Sequence, residues 1–284
     1  MNEKVVVAVC THNRKQHLLQ TIKAFNKIKR KNFKLAIIDS SDQELIKNEK
    51  KGIDFYLHMP DKKPLSIKRN IAINKIDSSL ILFTDDDCIP SKNWVNEITS
   101  PFKDDRVMCV TGKTIPSEEF KKSNYERIFT FDNLGNNKRE IIKHFGLHNL
   151  WKVGHGNNMA FRTSVFKEIR LFDESLGVGS PINAGEDVDM FYRIYKKGHK
   201  IIFNPNAIII HKHISKDDNL IVWARKNTYA SNKVLLKNID FNTFVIFLGG
   251  ILKLSLQTIS AFIKKDPLKG KVKFNSLIGW IGIK

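Results

Sequence analysis

Cysteine is scarce in this 284-residue chain: Cys10, Cys88 and Cys109 are all it has. An odd count does not suit a disulfide framework, and no pair has the spacing of a zinc knuckle. A reducing compartment fits best. Acids are also few, 29 against 48 Lys+Arg, which leaves a net charge of +19. Such an excess points to a polyanionic neighbour such as nucleic acid, anionic lipid or a phosphorylated small molecule. A generally lysine-rich composition accounts for it equally. Internal repeats and low-complexity linkers are missing. With 42% hydrophobic and 27% charged residues, global disorder is excluded. Glycine is absent from "THNRKQ" (11–16), so this loop is not a glycine-rich phosphate cradle. The opening "MNEKVVVAVCTHNR" turns polar after a short apolar run, which reads as a first strand and not as a signal peptide.

What is present alternates. "KVVVAVC" (4–10) is a β-branched run of the kind buried on both faces of a parallel sheet. "KQHLLQTIKAFNKI" (15–28) places Leu18, Leu19, Ile22 and Phe25 at helical spacing. "FKLAIIDSS" (33–41) is a second strand, "SIKRNIAINKI" (66–76) a helix with Ile67, Ile71 and Ile73 among its apolar positions, and "SLILFT" (79–84) a third strand. Further on, "VMCVTGKTI" (107–115) reads as a strand. "GHGNNMAFRTSVF" (154–166) is a glycine-rich turn, a short strand and a helix start at Thr163 or Ser164. Residues 184–213 give an acidic turn, an amphipathic helix stopped at Gly198 and two strand-like runs. This order predicts an α/β fold with a doubly wound sheet. Ligands of such sheets sit beyond the carboxyl ends of the strands, where Thr11, Asp39 and Asp85 to Asp87 fall.

The run "FTDDDCIP" places three like charges side by side. They can stay ionised together when a cation neutralises them. Hard oxygen ligands suit Mg²⁺ or Mn²⁺, which share their coordination with substrate phosphates. A solvated acidic turn ahead of a helix capped by Ser91 is the alternative. Cys10 and Cys88 read as packing residues, since no histidine at a defined spacing would activate them.

The ordered set "VVVAVCTHNR", "AIIDSS", "IKRN", "ILFTDDDCIP", "GNNMAFR" and "AGEDVDMFYRIYKKGHKIIFNPNAIIIH" resembles family 2 glycosyltransferases over about residues 4–215. The resemblance implies a GT-A nucleotide-diphospho-sugar transferase fold, Rossmann-like, with a mixed, mainly parallel central sheet. It implies an inverting enzyme that needs Mg²⁺ or Mn²⁺. Carried over by position, Thr11 and Asp39 line the nucleoside pocket, with Arg69 on its nucleobase or phosphate side. Asp87 goes to the metal and Asp85 or Asp86 to the ribose. Asp187 resembles the catalytic base, and His211 a further metal or diphosphate ligand. Trp151, Asn157, Asn158 and Glu186 fall on the acceptor side, near His155. Ser40 stands where many relatives carry a second acid, so uridine and thymidine donors both stay open. Inverting transfer also needs a base separate from the carboxylates that serve the departing diphosphate. The first turn of a helix, where Glu186 and Asp187 fall, suits negative charge. An acidic helix start is the plain alternative there; for His211 it is a satisfied strand histidine, with His213 on the same face.

Residues 216–284 carry 12 Lys+Arg and 4 Asp+Glu, a balance of +8. They read as a helical, basic extension to a 1–215 catalytic domain. Within them, "FVIFLGGILKLSLQTISAFI" (244–263) is long enough to span a bilayer. Lys253, Gln257 and Ser260 form one polar stripe, which favours a helix lying in an interface. Phe247, Ile251, Leu254 and Phe262 are then expected to face the apolar phase. Packing on the protein, dimerisation and a true span are the other readings. The expectation is a metal-dependent inverting glycosyltransferase at the inner, cytoplasmic face of the cell membrane. It would use a UDP- or dTDP-linked sugar and extend a glycan or lipid-linked acceptor in cell-surface polysaccharide synthesis, peripherally bound to an anionic membrane surface and without nucleic acid. A metal-dependent nucleotidyltransferase and a basic nucleic-acid-binding protein are the alternatives. Acids at several strand ends would repel nucleic acid.

Overall fold

The computed structural model describes residues 4–28, 32–117, 137–140, 153–212 and 220–283. Trp151 and His213 lie outside them. The described strands are β1 (Val5–Thr11), β2 (Lys34–Asp39), β3 (Phe55–His58), β4 (Leu80–Asp85), β5 (Cys88–Pro90), β6 (Val107–Pro116), β7 (Arg139–Glu140), β8 (Met159–Arg162) and β9 (Lys200–His211). They form one sheet in the order β3-β2-β1-β4-β8-β6-β9-β5, with β7 also paired to β9. β3, β2, β1 and β4 are mutually parallel. β8 runs against both β4 and β6, and β9 is parallel to β6. Six strands therefore point one way, giving the mixed, mainly parallel sheet expected. The chain winds outward from β1 to β3 and then returns to place β4 on β1's other side. That reversal puts the carboxyl ends of β1 and β4 at a topological switch point.

Strand side chains alternate between the two faces, and each face has its own core. Val7, Val9, Leu35, Ile37, Leu80 and Leu82 meet helix α1 (Lys15–Lys27) through Leu18, Ile22 and Phe25, and α3 (Trp94–Thr99) through Trp94 and Ile98. Ala8, Cys10, Ile38, Ile81 and Phe83 face the other way, toward α2 (Leu65–Lys75), α4 (Val165–Ile169) and α5 (Glu186–Lys196). The tail forms α6 (Leu220–Lys237), α7 (Phe241–Ile263) and α8 (Pro267–Trp280). Val234, Leu235, Ile246 and Trp280 of these helices belong to the second core. The tail thus shares a core with the sheet.

Two local departures from the expected pattern have physical causes. The two strand-like runs after Gly198 are one strand, β9, whose pairing with β6 jumps between Asn204 and Ile208. Pro205 sits in that jump and has no N–H to give to a ladder. In α2 the isoleucines are only partly buried, whereas Ser66, Lys68, Arg69 and Asn70 are buried. The polar side of this helix faces inward: Ser66 and Asn70 donate to the carbonyls of Leu176 and Phe172, while Lys68 and Arg69 reach the strand-end site.

Candidate active site

β4 ends at Asp85, Asp86 and Asp87 form the turn, and β5 leaves antiparallel to the end of β9. Cys88 pairs with His211 in that ladder, which carries the imidazole to the aspartate turn. His211 Nε2 lies 3.2 Å from Asp87 Oδ1. Ligand atoms of Asp85, Asp87, Cys88 and His211 all fall within 4.8 Å of one another. Asp85, one of the two aspartates that could take the ribose side, therefore stands with Asp87 as a candidate metal ligand. Asp86 turns away: it accepts from the Thr11 hydroxyl at 2.6 Å and pairs with Arg14 at 2.9 Å. Arg14 also pairs with Asp87.

The three carboxyls are compensated to different degrees. Burial raises the Asp86 carboxyl to about 6, although Arg14 and Thr11 hold it down. Asp85 is likewise raised by burial, against the pull of Arg69. Asp87 is also buried, but His211 and Arg14 outweigh that and bring it down to about 2. Burial lowers His211, yet the Asp87 carboxylate outweighs it and the net direction is up. The donor set fits a hard divalent cation held by Asp85, Asp87 and His211. Burial pushes the Cys88 thiol well above its usual range, so the sulfur is a poor ligand for such an ion. Cys10 is raised to about 11 by burial, as a packing residue would be.

Arg69 joins the metal side of the site to the base side. It is 1% exposed and lies over the rings of Phe83 and Phe172, its guanidinium carbon 5.7 and 5.5 Å from their centroids. Its nitrogens reach Glu186 Oε1 at 2.8 Å, the Gly156 carbonyl at 2.9 Å and Asp85 Oδ1 at 3.7 Å. Burial opposes the charge, but Glu186 and Asp85 outweigh it. Glu186, expected on the acceptor side, is thus a buried partner of Arg69. Burial, helped by neighbouring Asp187, raises its carboxyl to about 7. Asp187, in the first turn of α5, is only half-buried. Its Oδ2 accepts from the Gly156 N–H at 2.8 Å and its Oδ1 from the Val188 N–H at 2.8 Å. One residue, Gly156, therefore touches both Arg69 and Asp187, through its carbonyl and its N–H. A Cβ there would lie 3.1 Å from each side chain, so glycine lets the loop sit this close.

At the end of β2, Asp39 is 1% exposed and accepts from the Ser41 N–H at 2.9 Å and the Tyr56 hydroxyl at 2.8 Å. Thr11 is its register partner on β1. Lys68 crosses from α2 to the Thr11 carbonyl at 2.9 Å, its charge disfavoured by burial. Asn157 is held by the Thr114 hydroxyl at 2.9 Å.

Asn158 departs from the acceptor-side expectation. It is fully buried, accepts from Trp94 Nε1 at 2.9 Å and donates to the carbonyls of Lys113 at 3.0 Å and Ala207 at 2.9 Å. It braces β6, β9 and α3. Asn158→Ala would leave two buried polar groups and one part-buried carbonyl without this partner, each buried group worth about 1–3 kcal/mol. A loss of at least about 2 kcal/mol in urea unfolding is expected, with turnover per folded molecule unchanged. A stability within 1 kcal/mol of the wild type, on the order of one such group, would contradict the bracing role.

Arg14, Tyr56, Lys68 and Gly156 have no role in the sequence reading. Arg14 and Gly156 lie inside the quoted motifs "THNR" and "GHGNN", which was the available signal. Lys68 adjoins Arg69 in "IKRN". Nothing local marks Tyr56, whose partner is 17 residues away.

The mixed, mainly parallel sheet with carboxylates at its switch point matches the GT-A fold of solved glycosyltransferases. The mannosyltransferase PcManGT from Pyrobaculum calidifontis, in complex with GDP-Man and Mn²⁺, superposes with a TM-score of 0.68 at 12% identity, covering 99% of this chain and 86% of that one. S. aureus TarS 1–349 gives 0.61 at 13% identity, covering 98% and 80%. GalNAc-T7 with UDP, GalNAc and Mn²⁺ gives 0.56 at 14% identity, covering 84% and 52%. The sequence profile described as Glycosyl transferase family 2 matches residues 6–170, and the chain belongs to that family. It is 24% identical over 200 residues to a pre-mycofactocin glycosyltransferase of Mycobacterium tuberculosis, across 69% of this chain and 40% of that protein. It is 26% identical over 197 residues to the O-antigen chain rhamnosyltransferase WbaN of Salmonella anatum, across 67% of this chain and 60% of that protein. The chain thus spans about half the length of these curated relatives.

Proposed function

We propose that the protein transfers a sugar from a nucleotide-diphosphate donor to a hydroxyl of a glycan or lipid-linked acceptor, with inversion at the anomeric carbon. One observation carries this reading. Asp85, Asp87 and His211 converge on one point, while a separate, half-buried carboxylate, Asp187, is tied to the same framework through Gly156 and Arg69. A divalent cation held by the first three would neutralise charge on the departing diphosphate. Thr11, Asp39 and Arg69 would hold the nucleotide, with uridine and thymidine as the preferred bases. Asp187 would take the acceptor's proton as its oxygen attacks, and the bond from the anomeric carbon to the diphosphate breaks on the opposite side. The relatives named as glycosyltransferases and the nucleotide-sugar complexes of the fold neighbours support the same assignment.

A thermal-shift screen of UDP, dTDP, GDP and ADP, each with Mn²⁺, Mg²⁺ or EDTA, tests it. Ligand at about 100 times Kd adds roughly 2.7 kcal/mol, which for a chain of this size is a rise of roughly 5 °C or more in Tm. That rise is expected for UDP or dTDP with metal, and a much smaller one with EDTA. Equal shifts with and without metal would remove the cation from the proposal. No shift with any nucleotide would remove the donor.

A further inference from the structure

Helix α7 has two apolar faces, and the protein covers one of them. On the covered face Ile246 and Ala261 are buried, and Phe247, Ile251 and Leu254 pack on the core shared with the sheet. Trp280 of α8 donates its indole N–H to the Phe247 carbonyl at 2.8 Å. A Cβ on Gly250 would fall 2.2 Å from the Trp280 ring, so the two helices touch where glycine permits it. On the opposite face Phe244, Leu248, Leu252, Leu256, Ile259 and Ile263 are each 48–75% exposed. Their spacing of three and four residues makes one continuous stripe, about 30 Å long at 1.5 Å per residue. An exposed apolar surface of this extent marks an interaction site. The sequence reading expected Phe247, Ile251 and Leu254 on the outer face; they belong to the inner one.

Charge indicates the occupant. From residue 241 to the end of the sequence there are seven lysines and one acid, Asp266. Asp266 caps α8 by accepting from the Lys269 N–H at 3.1 Å. Lys253 on α7 and Lys264 at its C-cap are exposed, and α8 adds Lys269, Lys271 and Lys273. Burial holds the Lys273 charge down, and Lys269 and Lys253 act in the same direction. An exposed apolar stripe in a stretch of chain rich in lysine and poor in acids matches a surface with acyl chains below and anionic headgroups above. A second copy of the chain would bring more lysines to the same place.

We propose that the outer face of α7, with the lysines of α7 and α8, seats the protein on an anionic phospholipid bilayer, the helix lying in the plane of the interface. Thr243–Ile263 is long and apolar enough to cross a membrane. Crossing would strip Phe247, Ile251 and Leu254 from the core and break the Trp280 bond. This seat is independent of the transfer chemistry, since none of its residues touches the aspartate site.

The test uses the full chain and flotation with phosphatidylcholine vesicles, with and without phosphatidylglycerol. Binding is expected to be much stronger with phosphatidylglycerol than with phosphatidylcholine alone, and to be weakened by salt but not abolished, because the apolar part is unscreened. A Leu248→Ser, Leu252→Ser, Leu256→Ser variant should bind at least tenfold more weakly while keeping its circular dichroism and its nucleotide-induced thermal shift. Lys264→Glu with Lys265→Glu should bind more weakly and respond less to salt. Equal binding by the wild type and the serine variant would overturn the proposal. So would a dimer, seen by sedimentation, that the serine variant dissolves in a protein that ignores vesicles. Resistance of the membrane-bound protein to alkaline carbonate would replace the seat by a span.

Discussion

Asp87→Ala is expected to abolish the metal-dependent part of nucleoside diphosphate binding and to lower turnover by about 10³-fold or more. That figure corresponds to several kcal/mol of charge stabilisation from a bound cation. The physical ground is the position of Asp87 at the hub of the aspartate turn. Its two oxygens face Arg14 on one side and His211 on the other. Removing the carboxylate leaves Asp85 and His211 as the hard donors of the cluster. Asp86 cannot substitute, because its oxygens are directed to Thr11 and Arg14. Asp39, proposed to hold the nucleoside, bonds to Tyr56 and Ser41 and not to Asp87, so weak metal-independent binding should survive. Titration calorimetry of UDP with Mn²⁺ and with EDTA separates the two parts. Asp87→Asn, which keeps the shape of the side chain, guards against misfolding as the cause. Wild-type Mn²⁺ dependence in either variant would move the metal elsewhere.

The parts of this site legible in the sequence are those where strand ends deliver a residue directly. Thr11, Asp39 and Asp85 follow β-branched runs, and the sheet brings such ends together by its topology alone. His211 was legible as a candidate through its motif. Its proximity to Asp87 depends on β5, a three-residue strand that no periodicity signals. The placements that local sequence could not give are those decided by long-range packing. Glu186 and Asp187 are adjacent in an acidic helix start, yet one is buried on Arg69 and the other faces the Gly156 loop. Nothing in the acidic run says which. Asn158 sits in the same turn as Asn157, and only the meeting of Trp94, Lys113 and Ala207 around it identifies a brace. Helix α7 has large apolar residues nearly all round. Which of its faces is covered was set by Trp280, 33 residues beyond Phe247, and not by the local pattern.

The second large effect belongs to Asp187. Asp187→Asn removes a base and preserves a shape, so the prediction is a loss of about 10² to 10⁴ in kcat, the range of a general acid–base group, with donor affinity nearly unchanged. Each oxygen of Asp187 accepts one backbone N–H, from Gly156 and from Val188. A carboxylate oxygen has a second lone pair, so a proton can still be received on the open side. In the variant the amide oxygen keeps one of these bonds, while the NH₂ group faces the other N–H and cannot accept. The loop at Gly156 should therefore shift slightly but stay in place, since Arg69 still holds its carbonyl. Glu186→Gln is the informative contrast. It weakens the main anchor of Arg69 and should act on donor binding more than on kcat. Measuring Kd for the nucleotide beside kcat in both variants assigns the roles. A collapse of donor affinity in Asp187→Asn would make Asp187 a binding residue. Unaltered turnover in Asp187→Asn would pass the role of base to another carboxylate, and a kcat loss confined to Glu186→Gln would identify that carboxylate as Glu186.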